Sequence, residues 1–380
     1  HEEDTTKRTG ASAAWSPDSK HFAITRSDMR KVKELWVIDV LANPRPKLEG
    51  YKYQMPGEPG PKVHMYLFDF ENKTSKTINI DAFKDQSAGI LRNPVTVTER
   101  TYEKWVPSKW LGDNGKFYFE RQSRDQKRVD ICSVDVATGE TKVILHEELN
   151  TYVETRDAEF FNNLTEFVWW SERDGWAHLY LYGADGTLKN QITSGEFHVD
   201  QILGVDPVKR VVYFTACGKE KGINPYYMYT YSANLDGSNV KLLNKGDFDN
   251  KSVMSDDNKY FVNNYSRVDC TPKTALFDNT GRKIMDLEEA DLSQLFARGY
   301  KFPEIFTVKA GDGITDLYGV MYKPFDFDST KLYPIIEYVY PGPQTEANNS
   351  SWTKGMDRVD RLAQLGFIVV TVGNRGGHPN

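Results

Sequence analysis

A turn rich in Asp, Asn, Pro, Gly and Ser recurs along the 380-residue chain, each time just before an alternating apolar strand. The turns read PDSK at 17–20, DNGK at 113–116, NNLT at 162–165, DPVK at 206–209 and DDNK at 256–259. These residue types favour tight turns for different reasons. Asp, Asn and Ser side chains hydrogen-bond to the local backbone, Gly tolerates positive φ, and Pro fixes φ. Apart from a first interval near twice as long, successive turns lie about 45 to 50 residues apart, which is the repeat of a four-stranded propeller blade.

A second, aromatic-rich strand, a closing turn and a last short strand complete each unit. For the first unit this second strand is either 35–38 or, after an insertion, 64–68. The closing turns are DVATG at 135–139, GADG at 183–186, LDG at 235–237 and DNTG at 278–281. A blade cannot bury its faces alone, so such units must stack on one another.

Five units fit residues 1 to about 287, and we interpret the Pro- and Gly-rich stretch 51–60 as a loop insertion within one blade. A ring of typical size takes about seven or eight blades, so we expect further blades before His1 unless the propeller is unusually small. A β-sandwich with irregular strands is the alternative, but it does not explain the period.

The pattern changes after residue 286. Apolar residues at helical spacing predict a short linking helix over 287–297, and a hairpin follows at 304–324. Strands at 333–340 and 367–372, with a helix at 356–365 between them, predict a parallel β-α-β unit. We therefore predict a mainly β chain with an incomplete β-propeller at 1–300, followed at 301–380 by the beginning of an α/β-hydrolase domain.

Composition excludes several function classes. The formal net charge is −6 and no block of basic residues occurs, which argues against nucleic-acid binding. No apolar run reaches the roughly 20 residues that span a bilayer. The three cysteines lie far apart without metal-ligand spacing, and no nucleotide-binding loop or zincin helix occurs. We therefore predict no metal site and no cofactor.

A nucleophile elbow, Gly-x-Ser-x-Gly, is also missing from the sequence. Its nearest approach is GASAA at 10–14, which leads into a propeller turn, so we interpret Ser12 as structural. The sequence alone therefore contains no complete catalytic set.

Several strings, in the right order, resemble the prolyl oligopeptidase clan of serine peptidases, and within it the dipeptidyl peptidase four branch. They are WSPDSKHFA at 15–23, YKYQMPGEPG at 51–60, WSERDGWAHLY at 170–180, LGVD at 203–206, YPIIEYVYPGP at 333–343 and GNRGG at 373–377. The resemblance covers essentially the whole chain. It implies a post-proline exopeptidase with a Ser-Asp-His triad, in which the propeller admits only short or terminal peptides.

The resemblance places the triad downstream of residue 380, so we expect this chain alone to be inactive and His378 not to be the catalytic base. Tyr340 matches the tyrosine whose hydroxyl helps to stabilise the oxyanion. A phenol suits this task because it is a neutral donor that a strand end can hold in place. The alternative for Tyr340 is an aromatic packing residue.

Glu2 and Glu3 lie about where the dipeptidyl branch carries the paired glutamates that bind the substrate amine. The aromatic residues that introduce this pair are not visible here, and solvated surface charges are the alternative. Dipeptidyl release, tripeptidyl release and broader oligopeptidase action therefore all stay open.

Two other function classes remain beside the peptidase: a non-catalytic binding propeller and an inactive hydrolase-like interaction protein. The predicted parallel strands argue against the first. For the peptidase, the family leads us to expect a peptide substrate, a homodimer in the full-length protein, and a periplasmic or extracellular location.

Overall fold

A computed structural model describes residues 12–93, 108–340, 350–352, 358–375 and 377. Within these ranges the chain forms five four-stranded antiparallel sheets, one mixed four-stranded sheet and one two-stranded hairpin. Each antiparallel sheet contains one of the five repeats, so the mainly β fold built from four-stranded units is confirmed.

Sheet one contains a large insertion. The first six strands are β1 (Ala14–Trp15), β2 (His21–Asp28), β3 (Glu34–Asp39), β4 (Lys47–Lys52), β5 (Lys62–Asp69) and β6 (Thr74–Ile78). Sheet one has the order β1-β2-β5-β6, whereas β3 and β4 form a separate hairpin. Of the two candidates for the second strand, the structure therefore selects the one at 64–68, where Phe68 stacks on Phe22 with ring centroids 4.8 Å apart.

Sheet two shares a core with sheet one. Its strands are β7 (Ser87–Ile90), β8 (Lys116–Gln122), β9 (Arg128–Asp135) and β10 (Thr141–Glu148). Met65 and Ile78 of sheet one pack in one buried cluster with Trp110, Phe117 and Phe119. This packing is what the repeat requires, because each sheet buries its apolar face only against a neighbour.

Sheets three and four are built in the same way. Sheet three contains β11 (Glu159–Phe161), β12 (Glu166–Ser171), β13 (His178–Gly183) and β14 (Leu188–Gln191), and sheet four contains β15 (His198–Asp206), β16 (Val211–Cys217), β17 (Tyr229–Asn234) and β18 (Lys241–Leu242). Their shared core includes Trp170, Leu179, Phe214 and Tyr231. The Trp170 indole N–H also donates to the carbonyl of Val199 at 2.6 Å, which satisfies its polar atom inside the core.

Sheet five and the linking helix differ in part from the sequence prediction. Sheet five contains β19 (Asp249–Met254), β20 (Tyr260–Ser266), β21 (Lys273–Asp278) and β22 (Lys283–Glu289). Residues 287–289, which the helical spacing placed in the helix, belong to β22, and helix α1 occupies only Ser293–Ala297.

The mixed sheet contains β23 (Glu304–Lys309), β24 (Asp316–Tyr322), β25 (Ile335–Glu337) and β26 (Ile368–Val372), with helix α2 (Arg358–Ala363) between the last two strands. β25 and β26 are parallel, whereas β23–β24 and β24–β26 are antiparallel. Val359 and Ala363 of α2 pack on Val320 and Val369 in a separate core. The predicted parallel β-α-β arrangement is therefore present.

The repeated turns have the chemistry that the sequence predicts. Asp206 accepts hydrogen bonds from the backbone N–H groups of Val208 and Lys209 at 3.1 and 2.9 Å. In the last closing turn, Gly281 has a φ of +85°, and a Cβ there would lie 2.5 Å from the carbonyl oxygen of Leu243. Only glycine fits such a position, which explains why the closing turns end on it.

The chain divides into two compact units, His1–Thr155 with Ala184–Thr187, and Arg156–Gly183 with Leu188–Asn380. Sheets one and two lie in the first unit. The other three antiparallel sheets and the mixed sheet lie in the second. The domain boundary near residue 300 stays a prediction.

Candidate active site

The carboxyl ends of the two parallel strands form the candidate site. β25 and β26 pair in register from Ile335 opposite Ile368 to Glu337 opposite Val370, so both strands end at the same edge of the mixed sheet. Open α/β sheets bind their ligands at this edge. The segments that follow the strands, 338–340 and 373–375, are therefore the ones that could contact a substrate.

Tyr340 lies in the first of these segments. The backbone N–H of Tyr338 donates to the carbonyl of Val370 at 2.9 Å, and the Tyr338 side chain packs against the core of the mixed sheet. Tyr340 itself is 59% exposed, which fits a substrate-facing donor better than a buried packing residue. Its role at the oxyanion stays a prediction.

The glycine-rich segment after β26 is tied to the β23–β24 hairpin. The Gly373 N–H donates to the carbonyl of Tyr318 at 2.9 Å, and the Arg375 guanidinium donates to Asp312 at 2.8 Å. Hydrogen bonds from the Thr315 hydroxyl and from backbone N–H groups, with the charge of Arg375 adding to them, hold the pKa of Asp312 well below its ordinary range. Arg375 is therefore held by an ionised partner beside the candidate site.

Of the other residues singled out from the sequence, Ser12 lies among the described residues. Glu2, Glu3 and His378 lie outside the described residues, so the amine-binding role of the two glutamates stays a prediction. Ser12 has a structural contact, because its hydroxyl accepts a hydrogen bond from Arg92 at 3.1 Å.

The described part of the chain contains no metal-ligand cluster, and two of its cysteines are buried. No group of three or more His, Cys, Asp or Glu side chains there could hold a metal ion. Burial raises the pKa of the Cys132 and Cys217 thiols to about 12, so both stay protonated at neutral pH. Among the described residues, no helix has the length and apolar character needed to cross a bilayer.

Sequence reasoning missed a second group of contacts, which involves Ser351 and Trp352. Ser351 donates to the buried carboxylate of Asp249, and the Trp352 backbone N–H donates to the Ser266 hydroxyl at 3.2 Å. Burial raises the pKa of Asp249, although hydrogen bonds from Ser351 and the Met228 N–H oppose the shift. These partners are about 100 positions apart in the chain, and no local sequence pattern indicates them.

Comparisons with known proteins all indicate the same family. The sequence model described as "Dipeptidyl peptidase IV (DPP IV) N-terminal region" matches residues 2–272. A probable dipeptidyl-aminopeptidase B from Arthroderma otae is 24% identical over 95% of this chain. Human dipeptidyl peptidase 8 is 31% identical over 49% of the chain.

Solved structures show the same fold. Porphyromonas gingivalis dipeptidyl peptidase 4 covers 96% of this chain with a TM-score of 0.78 at 23% identity. A putative dipeptidyl aminopeptidase IV from Bacteroides ovatus covers 96% of it with a TM-score of 0.75 at 25% identity. The chain spans only part of these proteins: 40% of the Arthroderma otae protein and 49% and 52% of the two bacterial chains.

Proposed function

The chain belongs to the dipeptidyl peptidase IV family, and we propose on that basis that it is part of a serine exopeptidase. The full-length protein would release dipeptides from the free amino end of a peptide, with a preference for proline in the second position. The substrate is a peptide, as for other peptidases of the family.

One structural observation supports this proposal above the others. After five antiparallel sheets the chain changes to two parallel strands, β25 and β26, and Tyr340 lies exposed at their carboxyl edge. A propeller that only binds a partner has no need of such strands. An α/β-hydrolase needs them, because its catalytic groups stand at this edge.

In this proposal the Ser, Asp and His of the triad follow residue 380 in the full-length protein. Tyr340 would be one oxyanion donor, and the backbone N–H after the catalytic serine would be the other. The 380 residues by themselves would then cleave no peptide. A periplasmic or extracellular location also stays a prediction.

Two proteins, assayed side by side, test this function. The full-length protein should release the dipeptide from a Xaa-Pro amide with a free amine, and acetylation of that amine should abolish release. The 380-residue chain, shown to be folded by circular dichroism, should show no turnover. Release of tripeptides would instead indicate a tripeptidyl peptidase. Equal cleavage of the acetylated substrate would indicate broader oligopeptidase action.

We also propose that the full-length protein is a homodimer that pairs through the β3–β4 hairpin. Trp36 and Ile38 of β3 and Leu48 of β4 lie on one side of this hairpin, and each is more than 60% exposed. We call these three residues the hairpin face. An apolar face of this kind marks an interaction surface.

A second copy of the chain is the occupant that this surface fits. The hairpin carries charges of both signs, as in the Glu34–Lys52 pair at 3.6 Å. An apolar face flanked by opposite charges can pair with itself about a two-fold axis, which is the commonest symmetry of soluble oligomers.

A further inference from the structure

Two tyrosines from different sheets meet beside the carboxyl edge of the parallel strands. Tyr226 lies in the loop between β16 and β17 of sheet four, and Tyr318 lies in β24 of the mixed sheet. Their rings are in edge contact, with centroids 5.9 Å apart and planes at 75°. Both residues are half-buried. We call Tyr226 and Tyr318 the tyrosine pair.

Strand pairing places Tyr318 at the level where the two parallel strands end. The Gly373 N–H, directly after β26, donates to the carbonyl of Tyr318 at 2.9 Å. On the other side of β26, the register that pairs Glu337 with Val370 assigns Tyr340 to the level of Gly373. The sheet order β24-β26-β25 puts Tyr318 and Tyr340 one strand to either side of Gly373. Neighbouring strands are about 4.8 Å apart, so their backbones are separated by about 10 Å.

The loop that carries Tyr226 is held by several hydrogen bonds. Asn224 accepts from the Tyr226 N–H through its side chain at 3.0 Å, and from the Tyr227 N–H through its carbonyl at 3.1 Å. Tyr227 is 3% exposed and belongs to the core that sheets three and four share. The Met228 N–H then donates to Asp249 at 3.0 Å. Because the loop is already ordered, a ligand that contacts the Tyr226 ring loses little free energy to ordering it.

The separation of Tyr318 from Tyr340 determines which part of a bound peptide reaches the tyrosine pair. An extended peptide advances about 3.3 Å per residue, so about 10 Å corresponds to about three residues. In the proposed function the oxyanion forms at the cleaved bond, and the released dipeptide supplies only two residues on the amino side of that bond. A residue at the distance of the tyrosine pair therefore belongs to the leaving group.

We propose that the tyrosine pair binds an aromatic side chain of the leaving group, at the second or third residue after the cleaved bond. Tyr226 is then a specificity-determining residue that sheet four contributes to the site on the mixed sheet. This inference rests on the proposed function, because dipeptide release defines where the leaving group begins. Its chemical basis is that aromatic rings pack edge to face and bury a large apolar area, which favours an aromatic partner over a glycine.

Four peptides that share one Xaa-Pro unit test the proposal in the full-length protein. Three carry Phe at the first, second or third residue after the cleaved bond and Gly at the other two, and the fourth carries Gly at all three. We expect kcat/KM to be about 3- to 10-fold higher with Phe at the second or third residue than with Gly throughout, which is the effect of one aromatic contact. Tyr226→Ala should lower this ratio to about one. Tyr226→Phe, which keeps the ring, should retain it.

The ratio separates specificity from a general loss of activity, because it compares two peptides in the same enzyme. Tyr260→Ala removes an exposed ring from β20 and serves as the control, so it should retain the ratio. A ratio that survives Tyr226→Ala would overturn the proposal, whatever happens to the absolute rates. Dipeptide release by a wild-type protein that shows no preference for Phe at the second or third residue would refute this inference alone. A wild-type protein that releases no dipeptide would refute the proposed function and the inference together.

Discussion

In the full-length protein, Tyr340→Phe is expected to lower kcat by roughly 100- to 1000-fold, the usual effect of removing one oxyanion donor. The substitution keeps the ring and removes only the hydroxyl. The loss falls on kcat because the hydroxyl strengthens its bond to the substrate oxygen as negative charge develops there, so KM should change little. Steady-state kinetics with a Xaa-Pro amide provide the measurement.

Tyr260→Phe is a matched control for this experiment, because it removes an exposed phenol from β20 at 46% exposure, comparable with the 59% of Tyr340. It should leave both constants unchanged. A Tyr340→Phe enzyme that keeps the wild-type kcat would show that the residue only packs at the strand end. A rise in KM with constant kcat would show that it binds substrate and transition state equally.

The second large expected effect is on dimerisation, after a substitution in the hairpin face. We expect Trp36→Asp to raise the dimer dissociation constant of the full-length protein by roughly 30- to 1000-fold, which corresponds to the loss of about 2 to 4 kcal/mol at a central aromatic residue of an interface. The charged side chain would also face its own copy across the two-fold axis. Sedimentation velocity over a concentration series measures the change.

Val208→Asp is the control for the hairpin, since Val208 is 90% exposed in the turn after β15 and lies in a different part of the fold. It should leave the dimer intact. A Trp36→Asp protein that stays dimeric would place the interface elsewhere. A wild-type protein that is monomeric at micromolar concentration would remove the dimer proposal altogether.

The repeated sheets could be predicted from the sequence because turn chemistry and strand alternation are local. A turn such as 206–209 is fixed by Asp206 and its own following N–H groups, so its sequence is sufficient to place it. The parallel pairing of β25 with β26 was predictable for a similar reason, since two apolar strands separated by a helix have few other arrangements.

The first strand of some sheets was harder to find. β1 contains two residues and β11 three, too few for alternation to stand out. The β3–β4 hairpin was not predicted, because its apolar residues resemble those of a blade strand. Residues 35–38 of β3 were therefore one of two candidates for the strand that pairs with β2, whereas the structure pairs β2 with β5. Which of two similar strands joins a sheet depends on tertiary packing rather than on local preference.

The candidate site was predictable only in part. Tyr340 was found through a family resemblance, because nothing in an isolated tyrosine indicates an oxyanion donor. The contact of Ser351 with Asp249 joins distant parts of the chain, and a serine and an aspartate are too common for their sequence positions to reveal it. Such contacts follow from the packing of the sheets and cannot be deduced before the fold is known.

The central claim is that the five antiparallel sheets precede a hydrolase domain whose nucleophile lies beyond residue 380. Labelling the full-length protein with an organophosphonate and mapping the modified residue by mass spectrometry tests it most directly, because such reagents modify the activated serine of a triad. We predict one modified serine, downstream of Asn380 and within a Gly-x-Ser-x-Gly sequence. Modification of a serine within residues 1–380, or full peptidase activity in a protein that the reagent does not modify, would contradict the claim.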